Sequence, residues 1–461
     1  MQHFSQKIID ILPIEDYEQK KKLFRDNFVY NLKHKFQVKF VKKTSNLFRK
    51  QTSTHARKIN VSNFNKVISI DTKNHTVTVE AMIRFEDLAN VAFQYGFLPP
   101  VVPQLKTITL GGAISGVGVE ASSFKYGLVH ETILEMEVML ANGTIITCTP
   151  TNKYKDLFFA LPNSYGTLGY ILKVKMQLVK AKKYVQINHH KYTNSKKYFT
   201  DLTKICYDKK YNFVDGVVFN ERRMYISTGK FVDEAASTGN YKYMRIYYKS
   251  ILENNVDYLT TSDYIWRWDT DWFWCSKMFY MQNSLARFLL GKFMLGSKSY
   301  WTIARFEEKH KIRNKIEKIF TRKVAFTESI VQDVCIPIEN CEKFLIFFHK
   351  HIGIKPIWIC PFRARDKNIK YSLFKLDTDK LYIDFGFWDV VPSDKPKGYY
   401  NKLIESKVEE LEGKKSLYSE SFYKKDKFWK IYDGKTYHDL KKKYDPSYNF
   451  SDLYTRCVRN K

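Results

Sequence analysis

Two stretches of this 461-residue chain hold residue types that do chemistry when gathered at one place. The first, "LGGAISGVGVEASSFKYG" at residues 110–127, contains five of the chain's 19 glycines. Without Cβ atoms, such a run lets main chain approach a ligand closely or turn where side chains would clash. The phosphate-cradling pattern G-x-x-x-x-G-K-[ST] is absent. Gly116-Val117-Gly118-Val119-Glu120-Ala121 does satisfy G-x-G-x-x-A, the dinucleotide fingerprint, with acids following at Glu135 and Glu137. The second stretch, "YIWRWDTDWFWC", sets Trp266, Trp268, Trp272 and Trp274 beside Asp269 and Asp271. Such a block can wall an apolar substrate and supply an acid. It can equally be a buried packing cluster with Arg267 paired to the acids at its rim.

The elements around the glycines narrow their use. In "LEMEVMLANGTIITC", Leu134, Met136, Val138 and Leu140 alternate, and Asn142-Gly143 predicts a two-residue hairpin turn. A hairpin needs an antiparallel partner, whereas a Rossmann unit needs the next strand to run parallel into a helix. What remains is a long irregular loop whose amides form a nest for a pyrophosphate, or turns and bulges with no ligand. The density of glycine in a glycine-poor chain points to ligand approach. Elsewhere, Tyr17, Leu23, Phe24 and Phe28 predict a helix over 14–36, followed by a strand through Phe36, Val38 and Phe40 and a polar loop over Lys42–Asn46. A strand over 76–81, a helix over 84–96 closed by Gly96, a helix in "DLFFALPNS" and a long strand "ILKVKMQLVKA" complete the first region near residue 185. Beyond it, helices such as "EEKHKIRNKIEKIF" mix with strands such as "LYIDFGFW" (381–388), an α+β pattern.

Composition excludes several classes. The chain is long enough for two or three domains, and 44% hydrophobic with 16% aromatic content gives it cores to bury rather than a disordered profile. Seven widely spaced cysteines with no CxxC argue against a disulfide framework or thiolate metal site and for a reducing, cytoplasmic setting. No HExxH, clustered His and Cys, or GxSxG supports a metal hydrolase or serine esterase. The start has acids where a signal peptide is apolar, and no run reaches the length of a membrane span, "FLIFFHKHIGI" and "FLLGKFML" being the nearest. A formal charge of +29 attracts nucleic acid, anionic membrane or phosphorylated cofactors. Lysine is spread along the whole chain and no nucleic-acid module appears, so a basic nucleic-acid-binding protein rests on charge alone.

A family resemblance joins these pieces. "TLGGAISGVGVEASSFKYGLVHE", "NGTIITCTP", "DLFFALPNSYGTLGYI", and downstream "KPIWICPF", "LYIDFGFW" and "FWKIYDGKTYHDLKKKYDP" occur in the chain order of the FAD-linked oxidoreductases of the vanillyl-alcohol-oxidase type. Within that group the chain resembles the delta(24)-sterol reductases and the bacterial flavoproteins that reduce a methylene branch on a fatty acyl chain, from about residue 38 onward. The resemblance implies an α+β fold: a two-subdomain, PCMH-type FAD-binding domain over 1–185, then a substrate domain over 186–461 whose C-terminal segment returns to the first. It implies non-covalent FAD, because "KKTSNLFR" lacks the histidine that some members bond to flavin.

Carried over motif by motif, the cofactor would meet Lys43, Thr44, Ser45 and Asn46; Thr109, Gly111, Gly112, Gly116, Gly118, Glu120, Ser122 and Ser123; and Gly166, Thr167, Gly169 and Ile171. The implied activity is reduction of a carbon–carbon double bond in a sterol or other lipid chain with NADPH as donor, with an oxidase passing electrons to oxygen as the alternative within the fold. One alkene carbon takes hydride and the other needs a proton, so an acid is expected over the ring. Tyr126, His130, Asp269 and Asp271 are the candidates, with Glu120 as a further one. Trp266, Trp268, Trp272, Trp358 and Trp388 are expected to line the lipid cavity, joined by Cys360, Tyr382 and Asp384; core packing explains these strands equally well. A basic face against anionic membrane would bring such a protein to insoluble substrates.

Overall fold

The structure is a computed structural model that describes residues 11–42, 48, 56–310 and 327–458, with helical backbone alone over 304–310. Lys43, Thr44, Ser45 and Asn46, and most of "EEKHKIRNKIEKIF", lie outside the described residues. Helix α1 (Ile14–Lys33) buries Tyr17, Phe24 and Phe28, one stripe at spacings of seven and four, with Glu15 and Asp16 in its first turn and Lys33 in its last. Leu23 departs from expectation: it sits a residue off the stripe and is 65% exposed.

Strands β1 (Val38–Val41) and β2 (Arg57–Asn60) pair in parallel. Then β3 (Val67–Asp71), β4 (Thr76–Glu80), the helix α2 (Phe85–Gln94) and β5 (Phe97–Leu98) follow. The expected irregular glycine loop is in part a helix, α3 (Leu110–Ser115), which leads by way of Gly116–Gly118 toward β6 (Ile133–Met139). With β7 (Ile145–Cys148) and β8 (Tyr170–Gln177), these strands form an antiparallel sheet in the order β3-β4-β8-β6-β7. The antiparallel β6 bears out the objection to a Rossmann unit. Its turn, however, has three residues rather than two: Leu140 N–H donates to the Thr144 carbonyl, Gly143 N–H to the Leu140 carbonyl, and of Asn142 and Gly143 only Gly143 (φ +85°) is left-handed. The alternation along β6 also fails past Glu137, where a bulge against β8 lets Glu137, Val138 and Met139 all be buried. The long strand after it breaks at Leu178 into β8 and β9 (Val179–Lys180), and β9 turns to pair with β5.

The second region is an eight-stranded antiparallel sheet, built from β10 (Tyr184–Tyr192), β11 (Phe213–Asn220), β12 (Arg223–Val232), β13 (Val256–Thr260), β14 (Thr327–Pro337), β15 (Ile357–Phe362), β16 (Tyr382–Pro392) and β17 (Lys414–Lys415), in the order β13-β10-β12-β11-β15-β16-β14-β17. Period-two alternation divides its faces. Ile383, Phe385 and Phe387 of β16, with Ile330 and Val334 of β14, join a core that includes Phe344 and Phe348 of helix Cys341–His351. The opposite face carries Asp384, Gly386 and Trp388 on β16, Val331, Asp333 and Cys335 on β14, and Trp358 and Cys360 on β15. The C-terminal helices pack back on the first region: Lys441 Nζ donates to the Thr167 carbonyl (2.7 Å) and Lys443 pairs with Asp156 (2.6 Å). Among the described residues, no helix is long and apolar enough to cross a membrane.

Candidate active site

A cavity of about 1120 Å³ lies between the glycine segment and the eight-stranded sheet. Small-ligand pockets commonly span roughly 300–1,000 Å³, so a long cofactor and part of a chain-like substrate fit here together. One wall is Thr109, Gly111, Gly112, Gly116 and Gly118, continued by Gly166, Gly169 and Ile171. The other is aromatic and includes Trp272, Phe273, Trp301, Trp358, Trp388 and Tyr418.

The glycines are bare for a reason the sequence did not show. A Cβ on Gly111 would lie 3.0 Å from the Ala81 carbonyl oxygen, and one on Gly116 would lie 2.8 Å from the Gly112 carbonyl oxygen. The chain's own main chain crowds them. Gly112 instead has its Cβ position toward polar side chains of the cavity wall, 2.8 Å from Thr109 Oγ1 and 3.4 Å from Lys42 Nζ. Lys42 donates to Thr109 Oγ1 (2.9 Å), and no carboxylate among the described residues pairs with it. Burial lowers its ammonium to about 8. A desolvated cation beside a hydroxyl and uncovered main chain calls for an anion, and the diphosphate of FAD fits that donor set.

Backbone strain gathers at the same cavity. Val117, Tyr165, Trp272 and Phe273 line it with φ of +54°, +49°, +47° and +60°. Left-handed non-glycine residues cost on the order of 1–3 kcal/mol each and persist where surrounding structure enforces them, commonly at binding sites.

Pairing register composes the sheet wall. Gly386 is opposite Asp333 on one side and Trp358 on the other; one row along, Asp384 is opposite Cys335 and Cys360. A Cβ on Gly386 would sit 2.4 Å from the Trp388 ring, so glycine lets that indole fold back over the row. Trp388 Nε1 donates to Tyr418 Oη (2.9 Å), and the Tyr418 hydroxyl hydrogen-bonds to Asp333. Asp333 Oδ1 has no partner among the described residues. Burial, then the charge of Asp384, holds the Asp333 carboxyl well above the usual range, and burial pushes Asp384 up to about 7. Asp333 is therefore an acid whose burial favours its protonated form, and it faces the cavity.

The structure brings together the Thr109–Gly118 positions, Gly166, Gly169, Ile171, Trp272, Trp358 and Trp388, and separates the rest. Glu120 lies outside the cavity, bound with Asp215 to Arg267 (3.2 and 2.8 Å); Trp268 and Trp358 donate to the same Asp215 oxygen. Ser122 donates to the Pro100 carbonyl, Ser123 accepts from Glu120 N–H, and Thr167 donates to the Ser164 carbonyl. Trp266 and Trp268 are core residues. Asp269 accepts from Lys106 N–H and Ser297, and Asp271 is held by a bidentate pair with Arg287. His130 is buried edge-on against Tyr371, and burial drops its imidazole to about 3. Tyr126 is half-buried beside a crevice of about 20 Å³ apart from the cavity. None of these candidate acids lines the main cavity. Lys42, Asp333 and Tyr418 were not singled out by sequence. The signal for Asp333 is its alternation with Val331 and Cys335 on one face of its strand.

A cavity with a buried lysine and bare glycines on one wall and aromatic rings with a buried acid on the other has room and donors for a flavin cofactor, and residues of this chain match proteins that bind one. Residues 27–149 match the family described as FAD binding domain. The chain is 28% identical to human delta(24)-sterol reductase over 413 residues, covering 86% of this chain and 77% of that protein. It is 26% identical to a Caenorhabditis elegans delta(24)-sterol reductase homologue over 437 residues (88% and 80%) and 24% to the Arabidopsis thaliana delta(24)-sterol reductase over 444 (87% and 77%). The protein is an FAD-linked oxidoreductase with a PCMH-type FAD-binding domain. It is a distant homologue of the delta(24)-sterol reductases.

Proposed function

We propose that the protein reduces a carbon–carbon double bond in a sterol side chain or another unsaturated or methylene-bearing lipid chain, with NADPH as the electron donor. Residues 1–185 hold the cofactor in this reading, and 186–461 hold the substrate. The single observation that carries it is Asp333, a buried carboxyl on the aromatic wall of the cavity whose Oδ1 has no partner among the described residues and whose burial favours the protonated form.

FAD, when bound, supplies the hydride chemistry. Lys42 and Thr109, beside Gly112, would hold its diphosphate. Trp272, Phe273, Trp358 and Trp388 exclude water and orient an apolar chain. Asp333 holds the proton that the second alkene carbon requires, and Tyr418, which already accepts a hydrogen bond from Trp388, keeps its own hydroxyl proton directed at Asp333. Positive charge developing at carbon is attracted to the aromatic faces, each contributing ~0.5–2 kcal/mol.

The test is anaerobic reduction of the purified flavoprotein by NADPH, then mixing with delta(24)-unsaturated sterols and with methylene or unsaturated phospholipids. Rapid return of the oxidised flavin spectrum with an alkene, and saturated product by mass spectrometry, is expected. Rapid reoxidation by oxygen alone, with no alkene accepted, would instead make the protein an oxidase.

A further inference from the structure

Helix Ser284–Met294 is built inside out. A helix at the surface of a globular protein buries its apolar stripe and exposes its charges. Here the buried side carries Arg287 and Gly291, while Leu285, Phe288, Leu289, Leu290 and Phe293 point outward at 47–77% exposure. Tyr280, just before the helix, is 77% exposed as well. The orientation is fixed. Arg287 makes its bidentate pair with buried Asp271 and donates to the carbonyls of Met281 and Tyr243, and the Tyr243 hydroxyl donates to the Phe288 carbonyl. A Cβ on Gly291 would lie 3.0 Å from the Tyr243 ring, so the small residue lets the helix sit close. Asp271, a candidate acid by sequence, is the post to which this helix is tied.

Charge and position indicate what covers the face. Residues 272–306 hold no acidic residue; Lys277, Arg287 and Lys298 in that stretch are paired with Asp389, Asp271 and Glu86, and Lys292 is the cation that the helix itself presents on its exposed side. A second copy of a chain carrying +29 would be repelled from this face, whereas an anionic lipid surface would be drawn to it. The helix also adjoins the cavity on both sides in sequence: Met278 before it and Tyr300 and Trp301 after it are cavity wall. Eleven residues span about 16 Å, too short to cross a bilayer and suited to lying in its interface.

We propose that the Leu285–Phe293 face inserts into the interfacial layer of an anionic phospholipid bilayer and holds the cavity against it. The inference extends the lipid-reductase reading, and its experiment has no catalytic readout, so the two fail separately. Full-length flavin-loaded protein is floated with vesicles of pure phosphatidylcholine or of phosphatidylcholine with one-third phosphatidylglycerol. Wild type is expected to float with the anionic vesicles. L289E/F293E, whose side chains are already solvated, is expected to keep its flavin spectrum and melting temperature while its vesicle affinity falls about tenfold or more, and K292E to lose about threefold in a salt-sensitive manner. Flotation of L289E/F293E equal to wild type overturns the proposal. So does a wild type that ignores both vesicles, including one that sediments as a dimer which L289E/F293E dissociates.

Discussion

Two buried acid clusters share one face of the eight-stranded sheet and are given different partners. On β11, Asp215 is met by Arg267, which also reaches Glu120, and two indole N–H groups converge on the same carboxylate oxygen. Tyr264 covers the guanidinium face at 4.0 Å. On β14 and β16, Asp333 and Asp384 are given hydroxyl and thiol partners and, among the described residues, no cation, and burial raises both carboxyls toward their protonated forms. The first cluster is closed and holds the sheet to the segment after the glycine run. The second opens on the cavity. An acid with a counter-ion is structural here, and an acid without one is chemically available.

Asp333→Asn breaks the comparison most directly. Asparagine is isosteric and neutral like the protonated acid, so folding should be little changed, while alkene-dependent flavin reoxidation should fall about 10²–10⁴-fold and reduction by NADPH should persist. Stopped-flow measurement of the two half-reactions separates them; equal losses in both would remove Asp333 from the proton-donor role. Arg267→Met attacks the other cluster. It strands Asp215 and Glu120 in the core and should cost about 3–5 kcal/mol in denaturant unfolding. A loss below about 1 kcal/mol would show that the cluster is not held by charge compensation.

The sequence made the first wall legible and the second only in outline. The hairpin after the glycines follows from local alternation and one turn, and it sufficed to reject a parallel nucleotide fold. β16 was readable because "LYIDFGFW" is a β-rich run whose aromatics fall on alternating faces. The use of the glycines was not readable, because their crowding comes from Ala81 and from Gly112's own carbonyl rather than from a ligand. The acids were misjudged for a related reason. Asp269 and Asp271 stand beside tryptophans in sequence, yet their partners come from Lys106, Ser297 and Arg287. Asp333 is defined by the lack of a cation among the described residues, and counter-ion pairing is settled by residues distant in sequence, Arg267 standing 52 residues from Asp215 and 147 from Glu120.

The glycine wall gives a smaller and more specific test. Lys42→Met should weaken FAD binding about tenfold, close to the worth of one charge-assisted contact. The wild-type affinity should fall as pH rises through about 8, where the free Lys42 ammonium loses its proton; in the variant that pH dependence should vanish. Fluorescence titration of apoprotein with FAD across that interval reads both, and an unchanged pH profile in the variant would place the diphosphate away from Lys42.

The smallest expected effect sharpens the contrast from the other side. His130 is the histidine of the glycine-rich motif, and by type it would be the natural proton carrier near neutral pH. Its imidazole is already neutral above about 3, its Nδ1 has no partner among the described residues, and its ring contact with Tyr371 is a packing contact. Phenylalanine keeps that packing and removes the unsatisfied nitrogen. His130→Phe should therefore change stability by no more than about 0.5–1 kcal/mol, leave alkene turnover within about twofold and leave its pH profile in place. A profile that loses an ionisation in His130→Phe while Asp333→Asn retains it would transfer the proton from the sheet wall to the glycine motif.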